Sequence, residues 1–249
     1  MGNIAVWYLI QLKGGGPEEY YRQSIFLTGV IALLVMYPAW YFYRRDRVQR
    51  VSGGLIPVPG KRTMHIKDAV LLVGMGAALA QFANIFMAFV QIFLKSTAYS
   101  DSMSRIVEGK SLAYIIVWMG IIAPIAEEML FRWLIYLRLR DHMRMAGAAV
   151  ISGVIFGIYH GNMTQAIYAS ILGIVFAAVL EWSGSLWSCV FLHIGANTWS
   201  LISSEYAAVI LEKGGINILL LIYGVLLVIM VLALAYFSAG GKARAKRIV

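Results

Sequence analysis

The hydrophobic residues of this chain fall into seven long runs separated by short polar segments. The runs are continuous and show no alternation of period two, so they predict helices and disfavour a β-barrel. Most of them approach the ~20 residues that a helix needs to cross a bilayer. The pattern predicts an all-α fold, a polytopic transmembrane helical bundle of about seven spans. The runs cover residues 24–43, 68–94, 112–137, 146–159, 165–180, 186–202 and 216–237.

Composition supports a membrane protein without a soluble domain of useful size. The chain is 61% hydrophobic and 13% charged, whereas soluble domains carry about 25% charged residues. Residues 1–12 are apolar but short, and they lack a basic region and a small-residue cleavage site. We therefore interpret them as a half-span or interfacial segment and not as a cleaved signal peptide. The single cysteine, Cys189, excludes an internal disulfide and a thiolate metal cage.

The distribution of basic residues predicts the orientation. The net charge is +9, and in a membrane protein such charge indicates topology and lipid headgroup contact before nucleic-acid binding, which we do not expect. If all seven runs cross, three basic clusters lie on one side, which should be cytoplasmic, and the N-terminus lies outside. The expected location is a plasma membrane, and the short loops favour a prokaryotic one. Residues 51–62 are the expected flexible linker. The clusters are Arg44, Arg45, Arg47, Arg50, Lys61 and Arg62, then Arg138, Arg140 and Arg144, and finally Lys242, Arg244, Lys246 and Arg247.

Two adjacent carboxylates, Glu127 and Glu128, lie inside the third apolar run. A carboxylate in hydrocarbon costs several kcal/mol unless it is paired, solvated or protonated, so such residues indicate a functional site. Arg132 follows Glu128 by four residues, and the two can pair on one helix face. Glu127 is rotated by about 100° from Glu128. One glutamate can therefore pair with Arg132 while the other faces a different cavity.

Two histidines lie in or at the ends of later apolar runs and have polar or aromatic partners at helical spacing. Phe156 precedes His160 by four residues, and His193 precedes Asn197 by four. If the helices pack together, Glu127, His160, His193 and Asn197 could converge on one intramembrane polar cavity. Glycines at 153, 157 and 161, also spaced by four, predict close helix packing around His160. His65 and His142 lie in polar loops and are interpreted as surface residues.

The chemistry of this set has two interpretations. A glutamate and a histidine that share a water form a general base for attack on a carbonyl, and a second histidine with an amide can stabilise the oxyanion. Alternatively, Glu127, His160 and His193 form the ligand set of a hydrolytic zinc ion. The sequence does not separate these mechanisms. A non-catalytic scaffold or immunity protein, and a proton-coupled transporter that uses Glu127 or Glu128 as a relay, are further alternatives.

Three motifs in order carry a resemblance to a known family. Residues 127–132 resemble the Glu-Glu-x-x-x-Arg motif of the CAAX-protease and bacteriocin-processing (CPBP) family of intramembrane metalloproteases, which includes the Ras-converting CAAX prenyl endopeptidases. Residues 156–160 resemble its Phe-x-x-x-His motif, and residues 193–197 its His-x-x-x-Asn motif. A departure is Trp133, where the family commonly has a small residue. This tryptophan could narrow the cavity or pack against lipid.

The resemblance implies a role for each motif residue. Glu127 and His160 would activate water, His193 and Asn197 would stabilise the oxyanion, and Glu128 with Arg132 would hold the geometry. Phe156 would support the site. It also implies a cavity open to the cytosol and a membrane-associated protein or peptide as substrate. The expected division of the chain is residues 1–110 as N-terminal spans and linker, 111–204 as the catalytic core, and 205–249 as the last span and basic tail.

Overall fold

The structure, a computed structural model, describes residues 2–54 and 64–245. These residues form helices and no strand, which confirms the all-α prediction. Only the beginning of the predicted linker, up to residue 54, lies within the described residues. The last helix, Leu186–Ala245, breaks at Gly215, and we treat its two halves as α8 (186–214) and α9 (216–245). The others are α1 (Gly2–Leu12), α2 (Pro17–Ser52), α3 (Ile66–Leu94), α4 (Ala98–Val107), α5 (Leu112–His142), α6 (Met145–Tyr159) and α7 (Met163–Ser183).

The break at Gly215 reverses the chain direction. Its backbone has φ 68° and ψ −179°, a conformation that glycine adopts without a Cβ penalty. Before the break, Trp199 of α8 donates to Gln81 of α3. After the break, Tyr236 of α9 donates to Asp68 near the start of α3. Gly195 of α8 lies against Val73, and Ile229 of α9 lies against Gly74. With these second contacts, α8 runs parallel to α3 and α9 returns antiparallel along it.

Successive apolar runs alternate in direction throughout the bundle. Helices α5 and α8 are antiparallel, because Trp133 bonds to Leu186 at one end and Asn197 bonds to Met119 at the other. By the same reasoning α2 and α7 run parallel to α5, and α6 runs antiparallel to α7. Five helices are long and apolar enough to cross a membrane, the last of them being the joined α8 and α9. Helix α6, with 15 residues, reaches only ~22 Å of a hydrocarbon core about 30 Å thick.

Alternation brings Arg44, Arg45, Arg47 and Arg50 of the first predicted basic cluster and the whole second cluster to one end of the bundle, here called the basic face. It comprises the C-terminal ends of α2, α5, α7 and α9 and the N-terminal ends of α3, α6 and α8. Ion pairs tie these ends together: Arg138 with Asp46 at 2.7 Å, and Arg140 with Glu181 at 2.7 Å. The opposite face carries α1, α4 and the turn between α6 and α7.

Glycines permit the closest helix contacts near the site. A Cβ on Gly157 would lie 2.3 Å from the backbone oxygen of Ala166 in α7, and one on Gly195 would lie 2.1 Å from that of Val73 in α3. The prediction of close packing therefore holds for Gly157 and also for Gly153, where a Cβ would lie 2.8 Å from the oxygen of Ser170. It was wrong for Gly161, which has φ +79° and no neighbour within 4 Å. That glycine forms the turn between α6 and α7.

Candidate active site

The first wall of the site is a widened stretch of α5. Residues Ile116–Ile122 form a π-helical segment, in which Ala123 N–H bonds to the oxygen of Trp118, five residues earlier. With the same spacing of five, the N–H of residue 124 would bond to the backbone oxygen of Met119. Residue 124 is a proline and has no N–H, so this oxygen lacks a backbone donor. The side chain of Asn197 fills the vacancy and donates through Nδ2 to the oxygen of Met119 at 3.0 Å. One amide hydrogen of Asn197 thus fixes α8 against α5, and the other remains for further chemistry.

Glu128 joins two of the predicted motifs. Its Oε1 accepts from Arg132 Nη1 at 3.1 Å and from His193 Nδ1 at 2.8 Å. The side chains of Glu128 and Arg132 are fully buried, and that of His193 is 5% exposed. Separating the members of a buried ion pair is costly, because each would be left as an uncompensated charge. Glu128 therefore orients the His193 ring.

The Arg132 guanidinium lies in an aromatic slot. Its Cζ is 4.6 Å from the ring centre of Phe156 and 5.2 Å from that of Phe176, distances at which cation–π attraction operates. Gly173 provides the room, because a Cβ there would lie 2.9 Å from Arg132 Nη2. Phe156 thus supports the pair from the second motif, as the resemblance implies. Arg132 Nε and Nη2 and Glu128 Oε2 are buried and have no further partner, so only Oε1 of this pair connects outward to the site.

Both motif histidines direct an Nε2 atom away from a fixed Nδ1 atom. His160 Nδ1 lies 2.9 Å from the backbone oxygen of Phe156. A carbonyl only accepts, so Nδ1 carries the hydrogen, and in a neutral ring Nε2 keeps its lone pair. His193 Nε2 lies 3.7 Å from Glu127 Oε2, whose side chain is 17% exposed. This contact exceeds hydrogen-bond length, which leaves Glu127 available to a ligand or water.

The four residues predicted to converge do line one cavity. It has a volume of about 770 Å³, within the range of small-molecule and peptide sites. Glu127 is the single formally charged residue in its lining among the described residues. Aromatic side chains complete the walls of the cavity. The sequence did not indicate them, because they lie outside the three motifs. The four converging residues are Glu127, His160, His193 and Asn197, and the added aromatic residues include Trp7, Tyr20, Tyr21, Tyr99, Trp118 and Tyr168.

The zinc interpretation has no geometric support in the described part of the chain. No three His, Cys, Asp or Glu side chains there are grouped so that they could hold one metal ion. The fixed Nδ1 atoms and free Nε2 atoms of His160 and His193 would suit either a ligand or a base. Zinc bound by Glu127, His160 and His193 stays a prediction, and we derive no step through a metal.

Two sequence expectations change. Trp133 neither narrows the cavity nor faces lipid: it is 5% exposed, donates to the Leu186 oxygen at 3.2 Å and packs on Tyr43 and Trp187. It lies between Glu128 and the basic face.

The cavity extends away from the basic face, towards α1, α4 and the α6–α7 turn. A cavity open to the cytosol and a cytoplasmic basic face are therefore incompatible expectations for this chain.

Part of the chain is similar to known proteins. Residues 109–199 match the family described as type II CAAX prenyl endopeptidase Rce1-like, a segment that holds all three motifs. This part of the chain is therefore similar to the family that the three motifs resemble. A Bacillus subtilis (strain 168) protein named "Putative membrane peptidase YdiL" is 30% identical over 93 residues, which cover 37% of this chain and 38% of that protein. No solved structure matches the chain.

Proposed function

We propose that this protein is an intramembrane endopeptidase that hydrolyses a peptide bond with water activated by Glu127 and His160. The observation that carries the proposal is the shared cavity, in which His193 is held by Glu128 and faces Glu127. The match of residues 109–199 to the Rce1-like family supports it. The enzyme would lie in a prokaryotic plasma membrane with its C-terminal tail in the cytoplasm. Its substrate would be a membrane-associated protein or peptide: a CAAX-type prenylated tail, a leader or a pheromone precursor.

The first step would be attack by water on the scissile carbonyl. The Glu127 carboxylate takes one water proton, while the lone pair on His160 Nε2 accepts a hydrogen bond from the other O–H and fixes its direction. The water oxygen bonds to the carbonyl carbon, and the carbonyl π electrons move to its oxygen. When the tetrahedral intermediate collapses, the C–N bond breaks and Glu127 returns its proton to the leaving nitrogen.

His193 and Asn197 would stabilise the oxyanion. An imidazolium at His193 would balance the charges of Glu127, Glu128 and Arg132, and would donate through Nδ1 to Glu128 and through Nε2 to the oxyanion. The second amide hydrogen of Asn197 is the other donor. Fixed donors in a site that excludes bulk water stabilise developing charge strongly.

Cleavage by the purified protein tests the proposal. Candidate prenylated tails and leader peptides are incubated with wild type, Glu127→Gln and His160→Ala, and products are identified by mass spectrometry. Each variant should lose roughly 10²–10⁴-fold in rate. Glu205→Gln, on an exposed position of α8, is the matched control and should cleave like wild type. Cleavage that persists in both site variants would refute the mechanism, and a folded wild type that binds but never cleaves these peptides would favour the scaffold.

A further inference from the structure

The cavity occupies the half of the bundle away from the basic face. Glu127 lies at the middle of α5, and the lining continues from it only towards the N-terminal end of that helix, through Ala123 and Trp118. From α6 and α7 it includes Gly161 and Asn162, which form the turn at the opposite face. Helices α1 and α4, both at that face, add the outermost lining residues.

The half between the site and the basic face is packed. Between Glu128 and the basic face, Tyr136 is fully buried, and Leu180 and Val190 are 2% and 1% exposed. Trp133 and Leu192 close the same layer, at 5% and 0% exposed. A peptide approaching from the basic face would have to displace this core, so the cavity communicates with the opposite side.

Basic residues identify the two sides. Eight lysines and arginines with described side chains lie at the basic face, and the sequence adds two in the α2–α3 connection and four in the segment that ends the chain. Six lysines and arginines lie at the opposite face. This number is smaller even though that face includes the whole of α4 and the α1–α2 turn with the adjoining helix ends. Excess Lys and Arg mark cytoplasmic loops. The eight are Arg44, Arg45, Arg47, Arg50, Lys67, Arg138, Arg140 and Arg144; the six are Lys13, Arg22, Lys95, Arg105, Lys110 and Lys213.

We infer that the cavity opens to the extracytoplasmic side, and that the substrate is an exported or extracytoplasmic juxtamembrane peptide segment. The substrate part of this inference rests on the proposed function. The inference narrows the substrates proposed above, because a prenylated tail anchored in the cytoplasmic leaflet would not reach Glu127 through the packed half. The lining fits an uncharged segment, because Glu127 is its single formally charged residue among those described and tyrosines and tryptophans form much of its outer wall.

Thiol labelling in intact cells tests the orientation without any activity. The native Cys189 is fully buried, so wild type gives the background with a membrane-impermeant sulfonated maleimide. Ser102→Cys reports on the cavity mouth, since Ser102 of α4 lines the cavity. Ser204→Cys is an exposed second reporter near the same face, and Arg45→Cys is an exposed reporter on the basic face.

We expect Ser102→Cys and Ser204→Cys to react in intact cells, at least tenfold faster than wild type. Arg45→Cys should react only after the membrane is permeabilised. If Ser102→Cys fails to fold, Ser204→Cys alone decides the side. Reaction of Arg45→Cys in intact cells would overturn the inference, whether or not the other two variants react.

The substrate class is tested in sealed membrane vesicles with the wild-type protein. An uncharged leader-type peptide added outside should be cleaved by right-side-out vesicles and at least tenfold more slowly by inverted ones. Faster cleavage by inverted vesicles would overturn extracytoplasmic entry. Absence of cleavage in both vesicle types and in detergent, with the expected labelling pattern, would instead refute the proposed function and leave the orientation standing.

Discussion

Glu128 and His193, 65 positions apart in the chain, meet through a 2.8 Å hydrogen bond between Oε1 and Nδ1. The same oxygen accepts from Arg132 at 3.1 Å. One carboxylate atom therefore couples the first motif to the third and directs His193 Nε2 towards Glu127. The two adjacent glutamates differ in their surroundings: Glu128 is fully buried within a bonded network, whereas Glu127 borders the cavity.

This difference predicts opposite effects for two neighbouring substitutions. Glu128→Ala removes the partner of the buried Arg132, and an uncompensated buried charge costs about 3–5 kcal/mol. Glu127→Ala removes a side chain that borders the cavity and belongs to no buried ion pair, so it should cost under about 1 kcal/mol, while it abolishes cleavage. Reversible unfolding in mixed detergent measures both. Equal destabilisation by the two substitutions would contradict the assignment of Glu128 to the scaffold.

Gly173 should be intolerant of a single methyl group. A Cβ there meets Arg132 Nη2 and the Gly153 Cα, each at 2.9 Å, and overpacking of this kind costs about 1–3 kcal/mol. Gly173→Ala should therefore lower the midpoint of thermal unfolding and reduce the cleavage rate. The control is Gly224→Ala in α9, where a Cβ would meet nothing within 4 Å. A Gly173→Ala protein as stable and active as this control would show that Arg132 does not need the slot.

Substitutions that affect the Asn197–Met119 bond can distinguish a structural role of Asn197 from a chemical one. Asn197→Ala should cost about 1–2 kcal/mol, because the Met119 oxygen loses its partner. Pro124→Ala restores an N–H that can serve that oxygen, so the double variant should regain part of the stability. Cleavage should stay low in the double variant if the Asn197 amide also contacts the oxyanion. Recovery of both stability and activity would assign Asn197 to the scaffold alone.

Chelation addresses the zinc interpretation directly. The described donors are not grouped around one metal position, so we expect cleavage to persist after strong chelation and dialysis. Metal content is measured on the same sample by mass spectrometry. Loss of cleavage that stoichiometric Zn²⁺ restores, together with loss of zinc binding in His160→Ala, would establish the metal mechanism instead.

The sequence alone indicated what depends on neighbours along one helix. Continuous apolar runs give seven helical segments, because a backbone in lipid must satisfy its own hydrogen bonds. The i,i+4 spacing of Glu128 and Arg132 gives their ion pair, and the rotation between consecutive residues sends Glu127 elsewhere.

The tertiary structure decided what depends on contacts between helices. Periodicity does not encode which faces of two helices meet, so the link from Glu128 to His193, the room that Gly173 leaves for Arg132 and the burial of Trp133 appear only after packing. The direction of the cavity belongs here too, because it depends on which half of the bundle fills with large side chains. Sequence motifs placed the reactive groups on their helices, and packing gave them a common cavity and a side from which it opens.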